Sequence, residues 1–282
     1  MLRLRPEGRL LLSSGFLLCT LAACAGFWSS PTERLLALAA QHQLQKITLS
    51  AGPFQLTGFL RNPETEVRIL RIYLEGDGLA WSNRTTLSPD PTPTDSPVLT
   101  MMIRDPAPTA LYLSRPCQLV GGITAGCPPQ YWSTHRYAPE VVTAISTAID
   151  QIKQQVDAQQ IGLIGYSGGG VIAALLAANR QDVAWWITIA ANLDLETWTR
   201  HHGVSPMPES LNPTQVIDRL ASTHQIHFMG GRDQQVPETV TRAYLNRLPA
   251  TTPLQTHLVP EFDHACCWAD HWLELLTRLQ LP

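Results

Sequence analysis

Lysine is nearly absent from this chain: of its 20 basic residues only Lys46 and Lys153 are lysines, and the arginines are scattered singly. No basic stripe is available to displace counterions from a phosphate backbone, which excludes nucleic acid as a partner. His201, His202, His224 and His227 lack the spacing of metal ligands, so no metal is expected, and nothing in the sequence calls for another cofactor. There is no internal repeat. The apolar run near the N-terminus, Leu10 to Leu18, is too short for a stable membrane span. Against these absences stand 282 residues that are 44% hydrophobic and include eight tryptophans, a composition that excludes a disordered chain. The length allows one large domain or two small ones.

The N-terminus reads as an export signal. Arg3, Arg5 and Arg9 face a single acid, Glu7, and the short apolar run follows, giving the charged and hydrophobic regions of a secretory signal. Leu21-Ala22-Ala23-Cys24 then resembles the lipobox of bacterial lipoproteins, in which cleavage precedes a cysteine that becomes lipid-modified. The resemblance implies a signal peptide over residues 1–23, lipidation of Cys24, and a membrane partner reached through acyl chains without a spanning helix. Ala25 after the cysteine leaves an outer-membrane destination open; an ordinary signal peptide cut nearby is the alternative. Residues 24–46 read as a tether and a short helix carrying Leu35, Leu36, Leu38 and Leu44.

From residue 47 to 282 one domain is expected. Ile47–Leu49 and Phe54–Phe59 read as a hairpin, and Val67–Leu74 as a strand ending in Glu75-Gly76-Asp77-Gly78. Residues 88–97 carry four prolines and read as an irregular excursion with strand-like sequence on both sides. Beyond residue 110 strands and helices alternate. Strands are expected at 110–113, 161–164, 184–189, 226–229 and 254–259, and helices at 139–156, 171–178, 238–248 and 265–279. Short apolar strands separated by helices imply an α/β fold with a mostly parallel central sheet covered on both faces. An insertion of about 35 residues between 190 and 226 reads as a small lid.

Gly165-Tyr166-Ser167-Gly168-Gly169 lies between the strand at 161–164 and the helix that follows. Strand–turn–helix is the context a nucleophile elbow requires: the tight turn exposes the serine hydroxyl above the sheet edge, and small neighbours relieve crowding. The helix N-terminus also points its N–H groups at the same spot. A phosphate-binding loop is the rival, but no Lys follows in the GxxxxGK[ST] pattern. An elbow needs an acid and then a histidine later in the chain. Asp233 follows the strand at 226–229, and His264 lies 31 residues further on, after the last strand. Both fall in loops at the edge where the elbow opens. Asp194 is the rival acid. His257 and His271, inside a strand and a helix, are poorer candidates than His264.

These segments, with Val236-Pro237 after the acid, resemble an α/β-hydrolase of the esterase/lipase type over roughly residues 47–280. The resemblance implies an α/β-hydrolase fold and puts half of an oxyanion hole at the Gly168 N–H. The other half comes from the loop after the third strand, which usually opens with His-Gly and here reads Glu75-Gly76-Asp77-Gly78. Asp77 is the expected second donor and Gly78 the alternative. Arg115-Pro116-Cys117-Gln118, Tyr131-Trp132 and His135-Arg136 resemble a subset of exported bacterial hydrolases. Besides Cys24, four cysteines would remain after the signal, in an oxidising compartment. Cys117 and Cys127 flank a glycine-rich loop that can fold back, and they are the expected disulfide; Cys266 and Cys267 are open between a vicinal bridge, free thiols and cross-pairing. The implied reaction is acyl transfer from a small-molecule ester or acyl substrate to water. A serine peptidase or amidase on the same fold and a non-catalytic envelope-binding lipoprotein are the alternatives. Trp185, Trp186, Trp198, Tyr166 and Met207 are candidates for an acyl pocket.

Overall fold

The computed structural model describes residues 29–62 and 66–281; the export signal and Cys24 lie outside them. Among these residues eight strands form one sheet: β1 (Gln45–Ala51), β2 (Phe54–Arg61), β3 (Ile69–Leu74), β4 (Ala110–Leu113), β5 (Gln160–Tyr166), β6 (Val183–Ile189), β7 (His224–Gly230) and β8 (Leu254–Val259). Their spatial order is β1-β2-β4-β3-β5-β6-β7-β8. The β1–β2 and β2–β4 pairs are antiparallel and every later pair is parallel. The parallel strands are buried on both faces, which is why they read as continuous apolar runs. This is the α/β-hydrolase fold.

Among the described residues eight α-helices accompany the sheet: α1 (Pro31–Gln41), α2 (Pro97–Arg104), α3 (Pro139–Gln155), α4 (Gly168–Asn179), α5 (Leu195–His202), α6 (Ile217–Leu220), α7 (Glu238–Leu245) and α8 (Trp268–Thr277). One core layer joins α3 and α4 to the sheet through Val141, Ile145, Ile149, Ile172, Leu175 and their neighbours. The other joins α1, α2 and α8 to the opposite face through Leu35, Leu99, Met102, Trp268 and Trp272. α1 therefore belongs to the core. Its start is set by Ser30, which accepts from the Glu33 N–H while Glu33 reaches back to the Ser30 N–H, with Pro31 in the first turn.

The expected strand after the proline-rich excursion is a helix instead. Ser96 caps α2 by accepting from the Leu99 N–H, and Pro97 occupies the first turn. The apolar run Val98-Leu99-Thr100-Met101-Met102 is ambiguous by periodicity because nearly all of it is buried. The cap and the proline resolve it. The insertion between β6 and β7 holds α5, a 3₁₀ turn at Pro213–Val216 and α6. The 3₁₀ turn and α6 pack against α4, and α5 gives Trp198 to the wall of the cleft described next.

Candidate active site

Ser167 sits where β5 turns into α4, with φ 51° and ψ −123°. That is a strained backbone for a residue with a Cβ, and the surroundings enforce it. The Ser167 N–H donates to the Ile189 carbonyl at 2.8 Å, and Gly170 N–H donates to the Ser167 carbonyl at 2.9 Å. A Cβ on Gly165 would collide with the Gly169 carbonyl, and one on Gly169 with the Leu74 carbonyl. The two glycines let strand, turn and helix approach closely enough to hold the serine outward.

Asp233 and His264 come to the same point from the next two loops. Asp233 Oδ1 accepts from the Gln235 and Val236 N–H groups at 2.8 and 2.7 Å, so the carboxylate is fixed by its own turn. Its other oxygen, Oδ2, lies 2.9 Å from His264 Nδ1, and His264 Nε2 lies 3.1 Å from Ser167 Oγ. The Asp233 side chain is fully buried and that of His264 is 12% exposed, so the relay is closed to solvent at its acid end. A Cβ on Gly230 or Gly231 would press on the backbone of Phe262 or Pro260, so these glycines allow the two loops to touch. Tyr166 adds a strap: its hydroxyl donates to the His264 carbonyl at 2.6 Å. Asp194, the rival acid, is used elsewhere. It caps α5 through the Thr197 N–H at 3.0 Å and pairs with Arg247 at 3.1 Å.

The loop after β3 forms the other side. Glu75 is buried; its carboxylate accepts from the Gly76 N–H and the Tyr112 hydroxyl, each at 2.8 Å, and from Ser96. Burial pushes this carboxyl up, against the pull of Ser96, Gly76 and Tyr112. Gln118 fixes the loop from outside, donating to the Gly76 carbonyl at 3.0 Å. Asp77 lies against Gly168 so closely that a Cβ there would overlap its carboxylate. That carboxylate pairs with Arg136 at 2.7 Å and Arg115 at 3.2 Å, and accepts from the Tyr137 hydroxyl at 2.8 Å. Burial pushes the Asp77 carboxyl up, but Arg136 and Arg115 outweigh it and hold it below the ordinary carboxylate range. The two guanidiniums thus offset the negative charge that this carboxylate brings beside Gly168. Gly76 N–H is engaged by Glu75, whereas the N–H groups of Asp77 and Gly78 have no acceptor among the described residues.

These groups open into a cleft of about 1020 Å³. Its walls include Arg34, Leu35 and Leu38 of α1, the loop from Gly78 to Trp81, Trp198 and Val236. Of the aromatic residues expected in an acyl pocket, only Tyr166 and Trp198 line it. Trp185 and Trp186 are buried in the two core layers, and Met207 packs on the core. The arginines were legible as part of a sequence pattern but not as partners of Asp77, since 38 and 59 residues separate them from it.

Cys117 is disulfide-bonded to Cys127, with Cα atoms 5.7 Å apart, and Cys266 to Cys267. His227 is fully buried against Thr188, and burial pushes it down to about 3, which keeps it neutral. His257 stacks on Phe228, and His271 pairs with Glu274 on the surface. Among the described residues no three His, Cys, Asp or Glu side chains are grouped as a metal site.

Solved structures with this fold include esterases and a peptidase. An esterase from Pyrococcus furiosus, Pf2001, superposes with a TM-score of 0.61 at 12% identity, over 85% of this chain and 91% of that one. Est1E from Butyrivibrio proteoclasticus gives 0.57 at 13% identity, over 82% and 97%. The acylaminoacyl peptidase of Pyrococcus horikoshii gives 0.58 at 12% identity, over 79% of this chain and 37% of that one. At these identities the likeness is one of fold. No curated protein matches the chain in sequence. A family model described as "Serine hydrolase (FSH1)" matches residues 123–265, which run from the glycine-rich disulfide loop past Ser167 and Asp233 to His264. That segment is half of the sequence, and the chain belongs to the FSH1 serine hydrolase family.

Proposed function

We propose that the chain hydrolyses carboxylic esters through an acyl-enzyme on Ser167, with His264 as general base and Asp233 as its orienting acid. The observation that carries this reading is the continuous relay from Ser167 Oγ to His264 Nε2 at 3.1 Å and from His264 Nδ1 to Asp233 Oδ2 at 2.9 Å. His264 takes the hydroxyl proton at Nε2 as Oγ attacks the carbonyl carbon, and the Nδ1–H bond to Asp233 favours the imidazolium that results. The carbonyl oxygen, now negative, is met by the Gly168 N–H at the start of α4 and by the Asp77 N–H, with Gly78 as the alternative donor. His264 then returns the proton to the leaving alkoxide, and water repeats the sequence to release the acid. The filled relay argues against a binding-only lipoprotein.

An amide or peptide substrate is the second reading, favoured by the fold shared with the acylaminoacyl peptidase. p-Nitrophenyl esters of graded chain length, set against the matching anilides, separate the two. Ester turnover with the anilides at least about a hundredfold slower supports an esterase; anilide turnover at the same rate supports an amidase.

The reading places the enzyme on the cell envelope through a lipid on Cys24. Seven residues lead from Cys24 to Pro31, at most about 25 Å of chain, and α1 then forms part of the cleft wall. An anchored Cys24 would thus hold the cleft near the membrane surface. Cys24→Ala should release the protein from membranes or leave an uncleaved precursor. A wild-type protein recovered wholly soluble, with no lipid mass at its N-terminus, contradicts the anchor.

A further inference from the structure

Beneath the Gly168 side of the cleft lie two guanidiniums and two carboxylates. Arg115 and Arg136, both buried, share one acid, Asp77. Glu75, the other acid at the cleft floor, bonds Gly76, Ser96 and Tyr112 and neither guanidinium. Arg115 does not line the cleft: it bonds Asp77 and the Arg136 carbonyl, lies over the Tyr137 ring at 5.2 Å, and leaves its buried Nε without a partner among the described residues. Arg136 is held along one edge only. Its Nε donates to the Ser133 carbonyl at 2.8 Å and Nη1 to Asp77 at 2.7 Å, while Nη2 has no partner among the described residues. Arg136 lines the cleft with Ser167. So does Asn192, which is only 3% exposed and whose buried Oδ1 has no hydrogen-bond partner. An amide flip presents Nδ2 at that position instead, because the two ends have nearly the same shape.

An Arg136 edge that lines the cleft with no acceptor and a buried Asn192 amide atom with no partner both leave hydrogen-bonding capacity unused. Both are relieved by one ligand: an anion with two oxygens, accepting from Arg136 Nη2 and from Asn192. We propose that Arg136 and Asn192 form a subsite for a carboxylate on the substrate, so that the enzyme acts on esters carrying a free carboxylate near the scissile carbonyl. The proposal rests on the ester-hydrolase reading. Within this chain Arg115 bonds Asp77, Gln118 bonds the Gly76 carbonyl, and Arg136 is left with one edge to face the substrate.

The test compares matched esters on the full chain. p-Nitrophenyl hemiglutarate against p-nitrophenyl valerate places the carboxylate on the acyl side; 4-acetoxybenzoate against phenyl acetate places it on the alcohol side. In the wild type kcat/KM should favour the carboxylated member of at least one pair by about tenfold or more. Arg136→Gln should bring that ratio near one, and Asn192→Asp, which sets a like charge at the subsite without touching the ion pairs, should invert it. Glutarate alone should raise the wild-type melting temperature and leave that of Asn192→Asp unmoved. A wild-type ratio at or below one in both pairs overturns the subsite, as does a ratio that neither variant changes. Turnover of none of the four esters would count against the hydrolase reading, and the glutarate shift would still decide the subsite.

Discussion

The two sides of Ser167 are held by different physics. On the side of Asp233 and His264, positions are set by backbone: a positive φ at Ser167, glycines at 165, 169, 230 and 231 where segments nearly touch, and an acid fixed by its own turn. On the side of Asp77, positions are set by charge: Arg115 and Arg136 converge on one carboxylate from distant segments, and Glu75 gathers three donors. The first arrangement transmits little if a surface residue changes. The second depends on every partner, because removing one leaves another charge buried and alone.

That contrast can be broken at either side. The largest effect is expected at His264: His264→Ala should lower kcat on the order of 10⁶-fold, since members of such a relay act as a unit, while circular dichroism stays native. Asp233→Asn should lower kcat on the order of 10⁴-fold by removing the acceptor that orients the imidazole, and Asp194→Asn by less than about tenfold, both read in the same ester assay. If those two results were exchanged, the relay as drawn would be wrong. On the charged side the expected loss is of stability. Asp77→Asn leaves two buried guanidiniums without an acid and should cost about 3–5 kcal/mol in urea unfolding; a cost under about 1 kcal/mol would mean that water already serves them. Tyr166→Phe removes the strap to the His264 carbonyl and should lower kcat by only about tenfold, roughly the worth of one hydrogen bond.

The same contrast governs what could be read from the chain. That Ser167, Asp233 and His264 meet was legible because each sits at a strand end, in an order and context that the turn chemistry requires. The parallel strands were legible because burial on both faces makes them unbroken apolar runs. α2 was not, since a run buried on nearly every side loses the period that separates helix from strand, and only Ser96 and Pro97 mark its start. The partners of Asp77 were not legible either. Nothing local to Arg115 or Arg136 says which acid they meet, and Trp185 and Trp186 differ from Trp198 only in where the fold puts them.

Labelling with a fluorophosphonate, read by mass spectrometry of the tryptic peptides, tests the central claim most directly. The account predicts one adduct, on Ser167, in the wild type and none in Ser167→Ala. An adduct that survives the substitution, or a wild type that takes none, would contradict it.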